Sequence, residues 1–240
     1  MIPHTYKIPI MNNQEQYLEK LIEEKGLQIY RPDTAPIFDG VYDWNMYHDA
    51  PIQVMVVMKE PYDEIDENGN GFGGGWYITK DCFGKDDTWK NRSWQPLIYI
   101  LYGLFNSKRY EEMDYIRNDK SMADVLKSIA YINTNKMPAL TQTYDSELQA
   151  NYEIWKPVLL KQIEIFNPKV ILFANTFKLY KKDLVGESCQ PTSISPNGSV
   201  HVYVSNGRIL LDAYHPNQKT FGHSIYVNEI IDAIRNALNS

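Results

Sequence analysis

The stretch VVMKEPYDEIDENGNGFGGGW, residues 56–76, runs from an apolar segment into the carboxylate of Glu60, a proline and a loop dense in acids and glycines. Three other apolar runs end in polar residues: Asn133-Thr134-Asn135-Lys136, Asn175-Thr176 and Tyr214-His215-Pro216-Asn217. A carboxylate such as Glu60 can balance a developing cation or orient water, and a neutral imidazole such as His215 can donate to an oxygen that gains charge. A carboxamide presents a donor beside an acceptor. The acids Glu60, Asp63, Glu64, Asp66 and Glu67 could instead hold a hard cation, but their spacing is not that of an EF-hand loop, and Asp66-Glu67-Asn68-Gly69 reads as a solvated turn. Glycines 69, 71, 73, 74 and 75 permit positive φ and close backbone approach to a base or phosphate. They are not a G-x-G-x-x-G opening a helix, and neither a P-loop nor a G-x-S-x-G motif occurs, which argues against dinucleotide, P-loop and serine-nucleophile chemistry.

Strands must place these exits. IQVMVVM (52–58), IAYIN (129–133), KVILFA (169–174) and ILLDAY (209–214) are apolar runs of buried-strand length. Helical patterns separate them. QEQYLEKLIEEKG sets Tyr17, Leu18, Leu21 and Ile22 on one stripe and ends at Gly26, the expected C-cap, while SWQPLIYILYGLF is apolar nearly all round and expected to be buried. SELQ (146–149) is a capping box for a helix that presents Trp155, Leu159, Ile163 and Phe166, is started or kinked by Pro157, and stops at Asn167-Pro168. The C-terminal run carries Val227, Ile230, Ile231, Ile234 and Leu238 on one face and is expected to cover the sheet.

This alternation predicts an α/β fold, a three-layer αβα sandwich around a central, mainly parallel four-stranded sheet. The expected organisation is one domain over 1–240, with 1–50 as an N-terminal helical extension. Asn206-Gly207 between two β-rich runs predicts a hairpin that gives the last sheet strand an antiparallel partner. Ligands of open α/β sheets bind beyond the carboxyl ends of the strands, where all four polar exits fall.

A net charge of -6 and a pI near 5.4 argue against a bulk electrostatic grip on nucleic acid and leave that task to a local basic patch. The 18 Tyr and 5 Trp exceed what packing asks for and point to rings in a groove or pocket. Cys82 and Cys189 are too few for a cysteine-based metal site and are read as thiols rather than a disulfide. The N-terminus has no apolar signal core, and no stretch reaches the roughly 18 apolar residues of a membrane helix, so the expectation is a cytoplasmic protein with no membrane partner.

KEPYD with the acidic, glycine-containing loop behind it, YINTNK, IEIFNPKVILFAN and LLDAYHPNQ stand in that order over about residues 50–220. Together they resemble the landmarks of the uracil-DNA glycosylase superfamily. The resemblance implies that family's αβα fold, no cofactor, no metal, and hydrolysis of the N-glycosidic bond of uracil or a related damaged base in DNA, as in base excision repair. Glu60 falls where the family's water-orienting aspartate sits, and His215 where a histidine stabilises the oxygen of the leaving base. Asn133 would read the edge of the extruded base, with Asn135 competing for that role; Phe72 would stack on the base and Tyr62 would block a thymine methyl. Lys59, Asn217, Lys219 and Lys178 are the candidate contacts to nucleic acid. The chemistry agrees with these residue types, because glycosidic cleavage develops a cation on the sugar and an anion on the base.

The chain departs from the family in four ways. It lacks the four iron–sulfur cysteines of one branch; Lys59 stands in place of a glycine, Asn217 in place of a serine, and Phe221 is displaced from the position of the intercalating residue. With the acidic charge, these favour single-stranded over duplex DNA. Two other readings are a catalytically drifted module of this fold that binds nucleic acid or a nucleotide, and a small-nucleoside or metal-assisted hydrolase using Glu60, Asp63 and His215.

Overall fold

The computed structural model describes residues 10–29, 34–62, 73–139 and 144–240. Four runs of β-branched and long apolar residues form the centre of a sheet: β2 (Val54–Met58), β3 (Ala130–Asn133), β4 (Val170–Ala174) and β7 (Arg208–Ala213). They lie side by side in the order β3-β2-β4-β7, all parallel. Every residue of β2, β3 and β4 is buried, as expected of strands covered on both faces.

Among the described residues the sheet has seven strands rather than the four expected. β1 (Gly40–Val41) adds antiparallel to β3 at one edge, and β6 (Val200–Ser205) and β5 (Ser193–Ile194) add antiparallel beyond β7 at the other. β1 and β5 are two residues long, too short to carry an alternating pattern, and so leave no signal in the sequence. β6 and β7 form the expected hairpin, with Asn206 and Gly207 both left-handed at φ 51° and 74°.

Helices cover both faces. Val54, Val56 and Met58 of β2 point into a core shared with α4 (Trp94–Phe105), α7 (His223–Leu238) and a 3-10 segment, Lys120–Ser128. Met55 and Val57 point into the opposite core, built with α1 (Ile10–Leu27), α2 (Trp44–Asp49), α5 (Asp145–Phe166) and α6 (Phe177–Leu184). The apolar helix α4 is buried along most of its length, and Val227, Ile230, Ile231 and Ile234 of α7 face the sheet. A short helix, α3 (Ile78–Cys82), lies beyond the glycines that precede it.

Two local expectations are corrected. α1 runs on through Gly26 to Leu27, and the glycine serves close packing instead, since a Cβ there would lie 2.8 Å from the Pro36 ring. α5 begins at Asp145 with Tyr144 as N-cap, so Ser146 caps nothing. The same helix contains Pro157 rather than starting there, and it stops where expected, at Asn167, left-handed at φ 45°. None of the helices among the described residues is long and apolar enough to cross a membrane.

Candidate functional site

From β2 the chain crosses to β3 on one side, then back over to β4 on the other, which makes the carboxyl ends of β2 and β4 the point where strand order reverses. Hydroxyls secure this end of β2. Thr134 Oγ1 donates to the Met58 carbonyl at 2.9 Å, Thr176 Oγ1 to the Val57 carbonyl at 3.1 Å, and the Asn135 amide to the Lys59 carbonyl at 2.9 Å. The exit at Lys59-Glu60 is thus held from both neighbouring strands.

Beyond it opens a cavity of about 260 Å³ lined by Lys59, Glu60, Tyr62 and His215 on one part of its wall and by the rings of Trp76, Trp94 and Tyr131 on another. A larger cleft of about 660 Å³ lies between α7 and the Ser193–Asn197 segment. There the buried carboxylate of Glu229 is already saturated by the Ser195 and Ser199 hydroxyls and by the amides of Asn197, and Arg109 is paired with Asp232. The smaller cavity, where a carboxylate, an imidazole and aromatic faces converge at strand ends, has the make-up of a ligand site.

His215 is half-buried, and the peptide after it is fixed. Its Nδ1 accepts from the Asn217 backbone amide at 3.2 Å, which leaves the proton of the neutral ring on Nε2. Burial and then the nearby Lys59 ammonium push the imidazole down to about 4, so the ring is neutral at pH 7 and acts as a donor. Glu60 Oε2 accepts from Asn135 Nδ2 at 3.4 Å. Asn135 also receives the Trp155 indole N–H at 3.1 Å and the Met137 amide at 3.0 Å on Oδ1, so it braces Glu60 from behind the cavity wall.

Asn133 is 1% exposed and is not among the residues that line the cavity; it stands in register with Met58 and two residues from Tyr131, both of which do line it. Its Nδ2 finds no hydrogen-bond partner among the described residues. Tyr62 is 54% exposed at the cavity mouth. Phe72, Asp63, Glu64, Asp66 and Glu67 lie outside the described residues. The glycines that follow them lead into Trp76 of the wall: Gly73, Gly74 and Gly75 are all left-handed, and a Cβ on Gly74 would lie 2.1 Å from the Ala35 carbonyl.

Of the candidate phosphate contacts only Lys59 lines the cavity. Lys59 Nζ lies 3.9 Å from Asp145, and Lys178 Nζ donates to the same carboxylate at 2.5 Å. Lys219 donates to Asn217 Oδ1 at 3.1 Å. Phe221 packs edge-on against Tyr214 with ring centroids 5.1 Å apart, so it is engaged within its own loop. No group of three or more His, Cys, Asp or Glu suited to a metal ion occurs among the described residues.

Sequence reasoning missed the aromatic wall of Trp76, Trp94 and Tyr131; the excess of Trp and Tyr was its only trace. Trp94 Nε1 donates to the Tyr131 hydroxyl at 3.3 Å, fixing the two rings against each other. Compared with models of known protein families and with curated proteins, the chain matches none.

Proposed function

We propose that the protein hydrolyses the N-glycosidic bond of uracil or a related damaged base in DNA, with a fold of the uracil-DNA glycosylase type. The observation that carries this reading is the convergence of Glu60 and a neutral His215 on one aromatic cavity at the strand ends. A nucleobase extruded into the cavity would lie against the rings. Glu60 would stand near the sugar, stabilise positive charge developing there and orient the attacking water. His215 would donate from Nε2 to the base oxygen as the bond breaks and the base takes the electron pair. Because the ring is neutral, that oxygen gains a hydrogen bond without needing a proton from an imidazolium.

A second reading, a binding module without turnover, draws on Lys59: its ammonium is part of the cavity wall, where it can hold an anion. The two are separated by alkaline strand scission of single- and double-stranded oligonucleotides bearing one uracil. The glycosylase reading predicts abasic sites with the wild type, undiminished by chelator, and a loss of about 10²–10⁴-fold in rate for Glu60→Gln. Binding of the same oligonucleotides with no abasic product from either strand form would transfer the assignment to the binding module.

A further inference from the structure

Two polar side chains on the wall of the smaller cavity have no part in the reading above: Asn91 and Ser93. Both belong to the turn that links a 3-10 segment, Thr88–Lys90, to α4. Asn91 is exposed and Ser93 half-buried, whereas the Asn133 amide is sealed from solvent.

The turn is cross-braced. Asn91 Oδ1 accepts the backbone amides of Ser93 at 2.9 Å and Trp94 at 3.3 Å, and the Asn91 carbonyl accepts those of Trp94 and Gln95, both at 3.0 Å. Gln95 Nε2 reaches back to the Trp89 carbonyl at 3.0 Å. With Pro96 next, every amide that opens α4 is either occupied or absent, so the helix N-terminus keeps none for an anion. Ser93 stands at the N-cap but has helical backbone angles, φ −79° and ψ −25°, and its hydroxyl makes no capping bond. Asn91 caps the helix in its place. Two groups are left with no partner among the described residues, the Asn91 Nδ2 donor and the Ser93 hydroxyl.

A carboxamide that is free to turn over can offer either its oxygen or its nitrogen. Here a half-turn would set Nδ2 against the two amides that now hold Oδ1. Asn91 therefore presents a donor only, while the Ser93 hydroxyl beside it can accept. A donor next to an acceptor matches a lactam edge, a ring carbonyl flanked by N–H, and opposes the amine and bare ring nitrogen of an aminopyrimidine. Trp94, one of the rings of the same wall, follows Ser93 directly and is fixed against Tyr131, so a ring face and two edge-reading groups share one rigid stretch.

We infer that Asn91 and Ser93 select the base: Asn91 Nδ2 donates to its exocyclic oxygen and Ser93 Oγ accepts the neighbouring ring N–H, so that uracil-like lactams are taken over cytosine. The inference rests on the reading of this cavity as a base pocket. It moves recognition away from Asn133, which does not line the cavity.

The test uses the full chain and the variants Asn91→Asp and Ser93→Ala. The first keeps the capping oxygen and turns the free donor into an acceptor; the second removes a hydroxyl that caps nothing, so neither should lower the melting temperature. Binding of free uracil, cytosine and N3-methyluracil is followed by the ¹⁵N–¹H signals of the cavity residues, and kcat/KM is measured for uracil and cytosine in single-stranded oligonucleotides. The wild type should bind uracil over both other bases. Asn91→Asp should lower kcat/KM for uracil about 10–10²-fold, mostly through KM, and reverse the order of uracil and cytosine in binding. Ser93→Ala should lose the discrimination against N3-methyluracil, whose methyl group replaces the N–H. Excision of uracil by Asn91→Asp with unchanged KM and base preference would overturn the inference and leave the glycosylase reading in place. A wild type that binds no base, or cytosine as well as uracil, would overturn it too. A wild type that excises nothing yet binds uracil over cytosine, with the order reversed in Asn91→Asp, would uphold the inference and sink the catalytic reading.

Discussion

At the scale of single residues, the account turns on the protonation of His215. Its ring is held neutral by burial and by Lys59, with the imidazole lowered from 6.5 to about 4. Activity limited by this group should stay flat as pH falls from 7 to about 5, and decline only as the imidazolium forms near 4. Replacing Lys59 by Met removes the positive neighbour but leaves the burial, so the His215 pKa should rise while staying below 6.5. Titration of the imidazole Cε1 proton by NMR would check this, and a His215 that titrates at its ordinary value in the wild type would contradict it. If His215 is the donor to the leaving base, as proposed, His215→Ala should lower kcat by about 10²–10³-fold with KM changed far less.

At the scale of elements, the cavity is positioned by loops that are fastened rather than free. The Gly73–Gly75 return strip hydrogen-bonds the Ala35–Pro36 segment through Ala35 N to the Gly73 carbonyl and Gly75 N to the Pro36 carbonyl. Gly74 lies against the Ala35 carbonyl with φ at 79°, where a side chain has neither room nor an easy conformation. Gly74→Ala should therefore destabilise the protein by about 1–3 kcal/mol, measurable as a lower urea midpoint. Beside the larger cleft, Glu229 on α7 ties down the Ser195–Ser199 loop, and Glu229→Ala, which strands several buried donors at once, should cost roughly 2–3 kcal/mol by the same assay.

The elements also show what a sequence can carry. β2, β3, β4 and β7 were legible because a strand covered on both faces reads as an unbroken apolar run, and the Asn206-Gly207 turn because its backbone demands left-handed residues. β1 and β5 were not, being two residues each. Within the site, Glu60, His215 and Tyr62 could be picked out as residues leaving strand ends, and they line one cavity. The buried ion pair beside Asn133 could not, because Asp39 and Lys136 are 97 positions apart and nothing local marks either as buried. Nor could the separate placements of Asn133 and Asn135 be told apart, since two positions along a chain keep one face only while the strand lasts, and β3 ends at Asn133.

For the whole molecule, His215 and Glu229 carry the large shifts that act on the acid side of its stability, and Asp145 and Asp183, also held below their ordinary values, add to it. His215 binds a proton more readily unfolded than folded, so stability falls as pH drops from 6.5 toward about 4 and then levels with respect to this group. Glu229 is lowered from 4.5 to about 2: burial raises it, and the Ser195, Ser199 and Asn197 donors more than offset that. Its contribution is complete above 4.5 and is lost as pH falls through about 2. Urea unfolding at a series of pH values should give a decline with two parts, of which His215→Ala flattens the upper and Glu229→Gln the lower.

The most direct test of the central claim is a single-turnover reaction of the protein in excess over a single-stranded oligonucleotide containing one uracil, run in ¹⁸O-labelled water with the products weighed by mass spectrometry. Hydrolysis at the glycosidic bond predicts free uracil and an otherwise intact strand carrying one ¹⁸O on the abasic sugar, with both products lost in Glu60→Gln. An unlabelled, intact oligonucleotide, or ¹⁸O found on a phosphate, would contradict the account.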